Sequence, residues 1–311
     1  MNNIKHINKK VSVIIPYYKG EKTIFNTINS VLKSYESSKQ LIDVETYIFL
    51  DSIDDQSYIY ERLTEEFGNK IKIIKNKENL GVARTRNNAI KYVSGDYLLF
   101  LDQDDCLEEN YFFIISKHLN NNGVIVTNGY ICNLKNKKKA PIFYVKPRLK
   151  VQSFLRANKI PTPGMVLIKK RLAEQAEIFS ACSEEYKGAD DWAAYINLFL
   201  IDRNLKFYYI KDKIFNYNLH GNNYSNNWEE LNESAIATSK FFLNKFKRNY
   251  ANILMKRIKI LKFENMLKLN RRNKVFYLKN IFKILDYLFF HIVYINRIIG
   301  ATHKKIIKFY I

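Results

Sequence analysis

The sequence predicts an α/β fold, a doubly wound sheet flanked by helices, followed by a basic helical extension. Three observations predict it. Short β-branched runs alternate with helix-spaced segments for over 120 residues. The runs end in polar clusters, which a parallel sheet gathers at the carboxyl ends of its strands. After about residue 225 the strand signals stop and the chain becomes basic.

Val11–Ile15 is a β-branched run closed by Pro16, the pattern of a buried parallel strand. Lys22–Ser34 places Ile24, Ile28, Val31 and Leu32 at helical spacing. Val44–Leu50 is the second strand, ending at Asp51, and Ser57–Phe67 the next helix. Ile71–Lys75 is the third strand, Val82–Val93 a helix closed by Ser94–Gly95, and Tyr97–Leu101 the fourth strand, ending at Asp102. A helix over Asn110–Leu119 and a strand over Val124–Thr127 follow. From Lys135 to Pro163 four prolines and many lysines predict a loop with one short helix. Beyond it come a strand (Met165–Ile168), a helix opening near Asp190, and two strands (Phe207–Ile210 and Ile214–Asn218).

The net charge of +21 is concentrated in the tail. Residues 231–311 carry 18 Lys and Arg against Glu233, Glu264 and Asp286. The first 230 residues have an ordinary globular balance, so the predicted division is 1–225 and 226–311. Cys106, Cys132 and Cys182 are sparse and odd in number, fitting a reducing compartment and no zinc pattern. Met1–Lys10 is polar and basic, and Val11–Ile15 is too short for a signal-peptide core. Ile281–Ile295 is interrupted by Lys283, Asp286 and His291, short of the ~20 apolar residues a spanning helix needs.

Asp102, Asp104 and Asp105 crowd three carboxylates into four residues at a strand's carboxyl end. Such crowding is repulsive unless a cation lies among them. Mg²⁺ or Mn²⁺ shares its oxygen ligands between one or two carboxylates and a substrate's phosphates, which suits this position. An acidic turn that caps the next helix through Asp105 or Glu108 fits the tripeptide equally well.

The surrounding motifs carry more. Val11–Tyr18, then Asn79-Leu-Gly-Val-Ala-Arg-Thr-Arg86-Asn87-Asn-Ala89-Ile90, Gly95-Asp-Tyr97 and Phe100-Leu-Asp102-Gln103-Asp104-Asp105 resemble, in order and spacing, the family 2 glycosyltransferases of the GT-A fold. The resemblance spans about residues 10–220 and implies a mixed, GT-A type sheet. It also implies an inverting, metal-dependent transferase using a nucleotide sugar, with UDP expected, and a DXD motif. By the same match Pro16, Tyr17, Tyr18 and Glu21 line the nucleotide pocket. Asp51 receives the uracil imide N–H, and Arg86 lies near the diphosphate or sugar. Asp102 and Gln103 contact the donor, and Asp104 holds the metal. The usual Asp-Asp-Gly-Ser-x-Asp after the second strand is replaced by Asp51-Ser52-Ile53-Asp54-Asp55.

Inverting transfer needs a base for the acceptor hydroxyl. The resemblance assigns it to Asp191, with Asp190 orienting it or binding acceptor; helix capping is the plainer role of the pair. Pro161–Met165 is a rigid turn or a donor or acceptor contact. His220 matches a position that completes the metal shell, and Gly221–Asn227 has the composition of a lid.

The tail mixes cations with Ile, Leu, Phe and Tyr at helical spacing over Lys256–Lys262 and Val275–Ile299. A basic amphipathic helix predicts an anionic membrane surface, with a packed or homodimeric helical appendage as the alternative. The apolar content and the lack of a recognition motif argue against nucleic acid. These features predict a cytoplasmic protein, peripheral on the inner face of the plasma membrane. Its acceptor would be a glycan or glycolipid of lipooligosaccharide, capsule or another bacterial surface polysaccharide. The competing reading is a non-catalytic sugar-nucleotide or glycan-binding module that partners another transferase.

Overall fold

A computed structural model describes residues 9–119, 122–179, 188–221, 223, 227–270 and 278–290. The chain forms two compact units, interleaved in sequence. The first comprises Met1–Pro141, Ile160–Ser180 and Leu205–Gly221; the second comprises Ile142–Lys159, Ala181–Asn204 and Asn222–Ile311.

The first unit is built on a nine-stranded sheet. β1 (Lys10–Tyr17) lies between β2 (Asp43–Leu50) and β4 (Tyr97–Phe100), parallel to both, and β3 (Lys72–Lys75) extends the parallel set beyond β2. Seven of the eight β1 residues are buried, as a central strand covered on both faces requires. α1 (Glu21–Glu36), α2 (Gln56–Phe67) and α3 (Val82–Ala89) are the crossover helices. α1 buries Ile24, Ile28 and Val31 of the predicted stripe, while Leu32 is half-buried.

Beyond β4 the parallel pattern read from the sequence gives way to a mixed sheet. β8 (Val166–Lys169) runs antiparallel to β4 and to β6 (Val124–Asn133), and β6 pairs in parallel with β9 (Phe207–Leu219). β9 is one strand where the sequence predicted two. The polar Lys211-Asp212-Lys213 break is absorbed by a bulge, where the register slips around Asn128 and Gly129. The predicted loop from Lys135 contains β7 (Lys138–Pro141), an edge strand on β6. β5 (Cys106–Leu107), which no periodicity signals, pairs antiparallel with β9. α3 ends at Ala89 rather than Val93, and α4 is only Tyr111–Ser116. α6 (Lys170–Gln175) follows β8.

The entry to β4 is fixed by a buried carboxylate. Glu45 Oε1 accepts from Ser12 Oγ (2.6 Å) and from the Ser94 N–H (2.8 Å). Ser12 Oγ in turn accepts from the Gly95 N–H (2.8 Å). A Cβ at Gly95 would lie 2.6 Å from the Ser12 nitrogen, so only glycine fits. Lys72 and Lys10 reach Glu45 Oε2 at 3.2 and 3.4 Å. Burial alone would raise this carboxyl; the hydrogen bonds outweigh it and hold it at about 2.

The second unit is helical. α5 (Val151–Arg156) packs on α7 (Asp190–Ile201) and on α9 (Arg248–Leu269). Trp192 Nε1 donates to the Phe154 carbonyl (2.7 Å), and the Phe154 ring meets Tyr195 and Phe199. α8 (Trp228–Leu243) packs along α9, where Asn232 Nδ2 donates to the Leu261 carbonyl (3.1 Å). α10 (Ile281–Phe290) exposes Phe282 and Leu285. Among the described residues no helix is long and apolar enough to cross a membrane. Cys182, most of the Gly221–Asn227 segment and, within Val275–Ile299, residues 275–277 and 291–299 lie outside the described residues.

Candidate active site

In the first unit, β1, β2 and β4 deliver Tyr17, Asp51 and Asp102 to one edge because the three strands run parallel in adjacent register. The Leu101 N–H donates to Ile14 O (2.9 Å), so β4 holds to β1 up to the residue before Asp102. The Asp105 N–H then donates to Asp102 O (3.1 Å), closing the acidic turn. β5 follows at once and locks the turn's far end onto β9.

The three crowded carboxylates meet three different fates. Asp102 Oδ1 is in close contact with Arg86 Nη2, an ion pair in which the arginine is buried. Asp105 is fully buried; it accepts from the Asn218 N–H (3.0 Å) and lies 3.1 Å from Thr162 Oγ1. Burial first, then the charges of Asp104 and Asp102, push its carboxyl well above the usual range. It caps no helix: the residue preceding α4 is Asn110. Asp104 Oδ2 lies 2.8 Å from His220 Nε2, with both side chains partly open to solvent.

Thr162 and Asn218 organise the turn; the sequence marked the Pro161–Met165 segment as a whole but neither residue individually. Thr162 Oγ1 lies 3.3 Å from Asp102 Oδ2 and also accepts from the Gly164 N–H (3.4 Å). Asn218 Nδ2 donates to the Asp104 carbonyl (2.7 Å). The signals were present: a threonine between two prolines, and an asparagine two residues before the histidine. Gly164 is confined, since a Cβ there would meet the Phe215 ring at 2.6 Å.

Gln103 clamps the β1 end, accepting from the Tyr18 N–H and donating to the Tyr18 carbonyl, both at 2.9 Å. Pro16 and Tyr17 end β1; Tyr17 is buried and its hydroxyl donates to Asp55 Oδ2 (2.7 Å). Glu21 opens α1 at the surface, accepting from Arg62 (2.7 Å) and Tyr58 (2.9 Å). Asp51 Oδ1 accepts from Asn76 Nδ2 and from the Leu80 N–H, and Oδ2 from the Gly81 N–H, all at 2.8 Å. Three of its about four lone-pair positions are thus occupied by the loop that launches α3 and Arg86. In the segment that departs from the family pattern, Ser52 Oγ and Asp55 Oδ1 are buried with no hydrogen-bond partner among the described residues.

In the second unit, Asp190 and Asp191 open α7. Asp191 Oδ2 accepts from Asn158 Nδ2 (3.0 Å), which orients the carboxylate, and Oδ1 from the Trp192 N–H (2.6 Å).

Asp104 and His220 offer one carboxylate and one imidazole, a donor pair that fits a divalent ion still open to phosphate oxygens. Among the described residues no three or more His, Cys, Asp or Glu side chains are grouped to hold a metal by themselves. An ion there would draw its remaining ligands from a bound diphosphate and water.

A mixed sheet flanked by helices, with an acidic turn closing its central parallel strands, defines the GT-A class of glycosyltransferases. Solved structures share the fold. The crystal structure of S. aureus TarS 1–349 in complex with UDP-GlcNAc has a TM-score of 0.62 at 17% identity, covering 86% of this chain and 77% of that one. The mannosyltransferase PcManGT from Pyrobaculum calidifontis, in complex with GDP-Man and Mn²⁺, has a TM-score of 0.57 at 14% identity, covering 81% and 69%. The profile of glycosyl transferase family 2 matches residues 12–176, more than half of the chain, and the chain belongs to this family. It is 36% identical over 113 residues to the UDP-Glc:alpha-D-GlcNAc-diphosphoundecaprenol beta-1,3-glucosyltransferase WfgD of Escherichia coli. That match covers 36% of this chain and 42% of the relative, so the chain spans about two fifths of the relative's length.

Proposed function

We propose that this chain is an inverting, metal-dependent glycosyltransferase. It moves a hexosyl or N-acetylhexosaminyl group from UDP to a hydroxyl of a glycan or glycolipid acceptor in surface-polysaccharide synthesis. The observation that carries the reading is the acidic turn, in which Arg86, Thr162, Asn218 and His220 give each carboxylate a separate electrostatic environment. Preorganised charge of this kind stabilises a departing diphosphate without reorganisation during the reaction.

In the proposed reaction Asp191 takes the proton of the acceptor hydroxyl as its oxygen attacks the anomeric carbon. The bond from that carbon to the diphosphate breaks, the electron pair leaves with UDP, and the configuration inverts. Asn158 holds Asp191 in one orientation, and Asp190 binds the acceptor or supports the base. Asp102 and Arg86 hold the donor sugar and its diphosphate, and Pro16, Tyr17, Tyr18, Glu21 and Gln103 shape the nucleotide end. Asp51 acts on the nucleobase through the position it gives the Leu80–Gly81 loop and through its remaining lone pair. Mn²⁺ or Mg²⁺ at Asp104 and His220 would supply positive charge against the leaving diphosphate.

The likeness to a transferase whose name gives UDP-Glc and a diphosphoundecaprenol-linked acceptor supports a UDP donor and a lipid-linked, membrane-borne acceptor. The basic tail, with Leu278, Phe282 and Leu285 exposed, supports peripheral attachment to the inner face of an anionic membrane. Residues 1–225 form the catalytic portion and 226–311 the attachment portion. The test is to incubate the protein with Mn²⁺ and a panel of UDP-sugars. Transfer or hydrolysis supports the enzyme, whereas tight binding without turnover replaces it with a binding module.

A further inference from the structure

The second unit holds a group of cations that the proposed chemistry leaves unused. Lys159 follows α5 and is only 6% exposed, and among the described residues its ammonium has no hydrogen-bond partner. The charges acting on it are those of Arg257 on α9 and Arg156 in the last turn of α5, and both are positive. Arg257 also buries an Nε that has no hydrogen-bond partner among the described residues, and Glu264 offsets part of its charge. α5, which carries Arg156 and leads into Lys159, packs on α9, which carries Arg257. Burial, reinforced by the two arginines, pushes the Lys159 ammonium down to about 7.

An ammonium buried among other cations is costly unless an anion joins it. Two guanidinium groups and an ammonium match a phosphate or diphosphate better than a single carboxylate, because the forks bind several oxygens at once. The location narrows the source. Asn158, next to Lys159 in the chain, is the residue that holds Asp191 at 3.0 Å. All of these residues belong to the second unit, whereas Asp104, His220 and Arg86 lie in the first.

We infer that Arg156, Lys159 and Arg257 form a binding site for the phosphate or diphosphate group of a lipid-linked acceptor. The inference rests on the proposal that Asp191 serves the acceptor. The site would anchor the acceptor's charged linker while its sugar hydroxyl meets the base.

The test is a thermal-shift titration in EDTA at constant ionic strength. Geranyl diphosphate and inorganic pyrophosphate are the probes, with sulfate as the control. Geranyl diphosphate should stabilise the wild type more than pyrophosphate does, and sulfate should do little. Lys159→Met should weaken that binding roughly 30-fold, the loss expected when one partner of a buried charge contact is removed. Asp104→Asn should leave it intact. Lys159→Met should also melt no lower than wild type without ligand, since it removes an unpaired buried charge. If it fails to fold, Arg257→Met asks the same question. Undiminished binding in the folded variant, or no shift in wild type, overturns the site. Pyrophosphate binding as tightly as geranyl diphosphate overturns the acceptor assignment. UDP binding in the presence of Mn²⁺ should be the same in wild type and Lys159→Met. Its loss from wild type would sink the donor reading and leave this one standing.

Discussion

Replacing Glu45 by Gln removes one negative charge from beneath β4 and leaves the side chain's shape. In the folded chain the Glu45 carboxyl is held at about 2 against an ordinary 4.5. At about 1.4 kcal/mol for each tenfold in proton affinity, the charged form contributes about 3 kcal/mol. The sign follows from the depressed value. The contribution is complete above about 4.5, falls away as the pH drops, and is gone below about 2. Because the chain has two units, one unfolding free energy is a poor measure, and a local probe is better. The Ser94 amide donates to Glu45 and the Gly95 amide to Ser12 Oγ. Hydrogen exchange of a peptide spanning them, corrected for intrinsic rates, reports the opening of this turn. Glu45→Gln should cost these amides about 100-fold in protection at pH 7. The gap between wild type and variant should close between pH 4.5 and 2. An undiminished gap at pH 2.5, or no loss at pH 7, would refute the argument that the carboxylate's charge holds the turn.

Asp104→Asn should lower transfer with Mn²⁺ by about 100-fold or more, as loss of a preorganised charge contact does; steady-state rates across a Mn²⁺ series would check it. Asp191→Asn should lower kcat by roughly 100-fold to 10,000-fold while UDP affinity, measured by calorimetry, stays put. Gly129→Ala should destabilise by about 1–3 kcal/mol, because the new methyl would lie 2.4 Å from the Phe215 carbonyl oxygen, which is main chain and cannot swing away; a drop in Tm measures it.

The parallel half of the sheet was legible because its strands are buried on both faces and read as continuous apolar runs, Val11–Ile15 being the clearest. The antiparallel half was less so. Cys106–Leu107 is too short for any period, and Lys138–Pro141 is a strand only because β6 offers it an edge. Lys211–Lys213 looks like a turn because a bulge lets polar residues sit inside a strand. At the site, the charged residues could be singled out because each sits in a short motif of its own. The Arg86–Asp102 and His220–Asp104 contacts are made by the fold and were not read from the sequence. Thr162 and Asn218 could not be singled out, because an uncharged side chain acquires its role only from the carboxylates that tertiary structure brings to it. Asp51 was readable as a strand-end acid, but its engagement with the Leu80 and Gly81 amides depends on how that loop returns to the sheet.

β9 is the last strand of the sheet in sequence, and it carries both Asn218 and His220 to a turn more than 110 residues upstream. During synthesis the nascent chain therefore exposes Asp102, Asp104 and Asp105 long before the residues that partner two of them exist. Between the two lie both early stretches of the second unit, which must wait for Asn222 onward to be completed. Neither unit can finish folding as it emerges, and closing contacts over such a separation is slow. A ribosome-stalled chain ending before Phe207 would hold the parallel half of the sheet and an unanchored acidic turn. The candidate metal pair forms only after nearly the whole first unit has been translated.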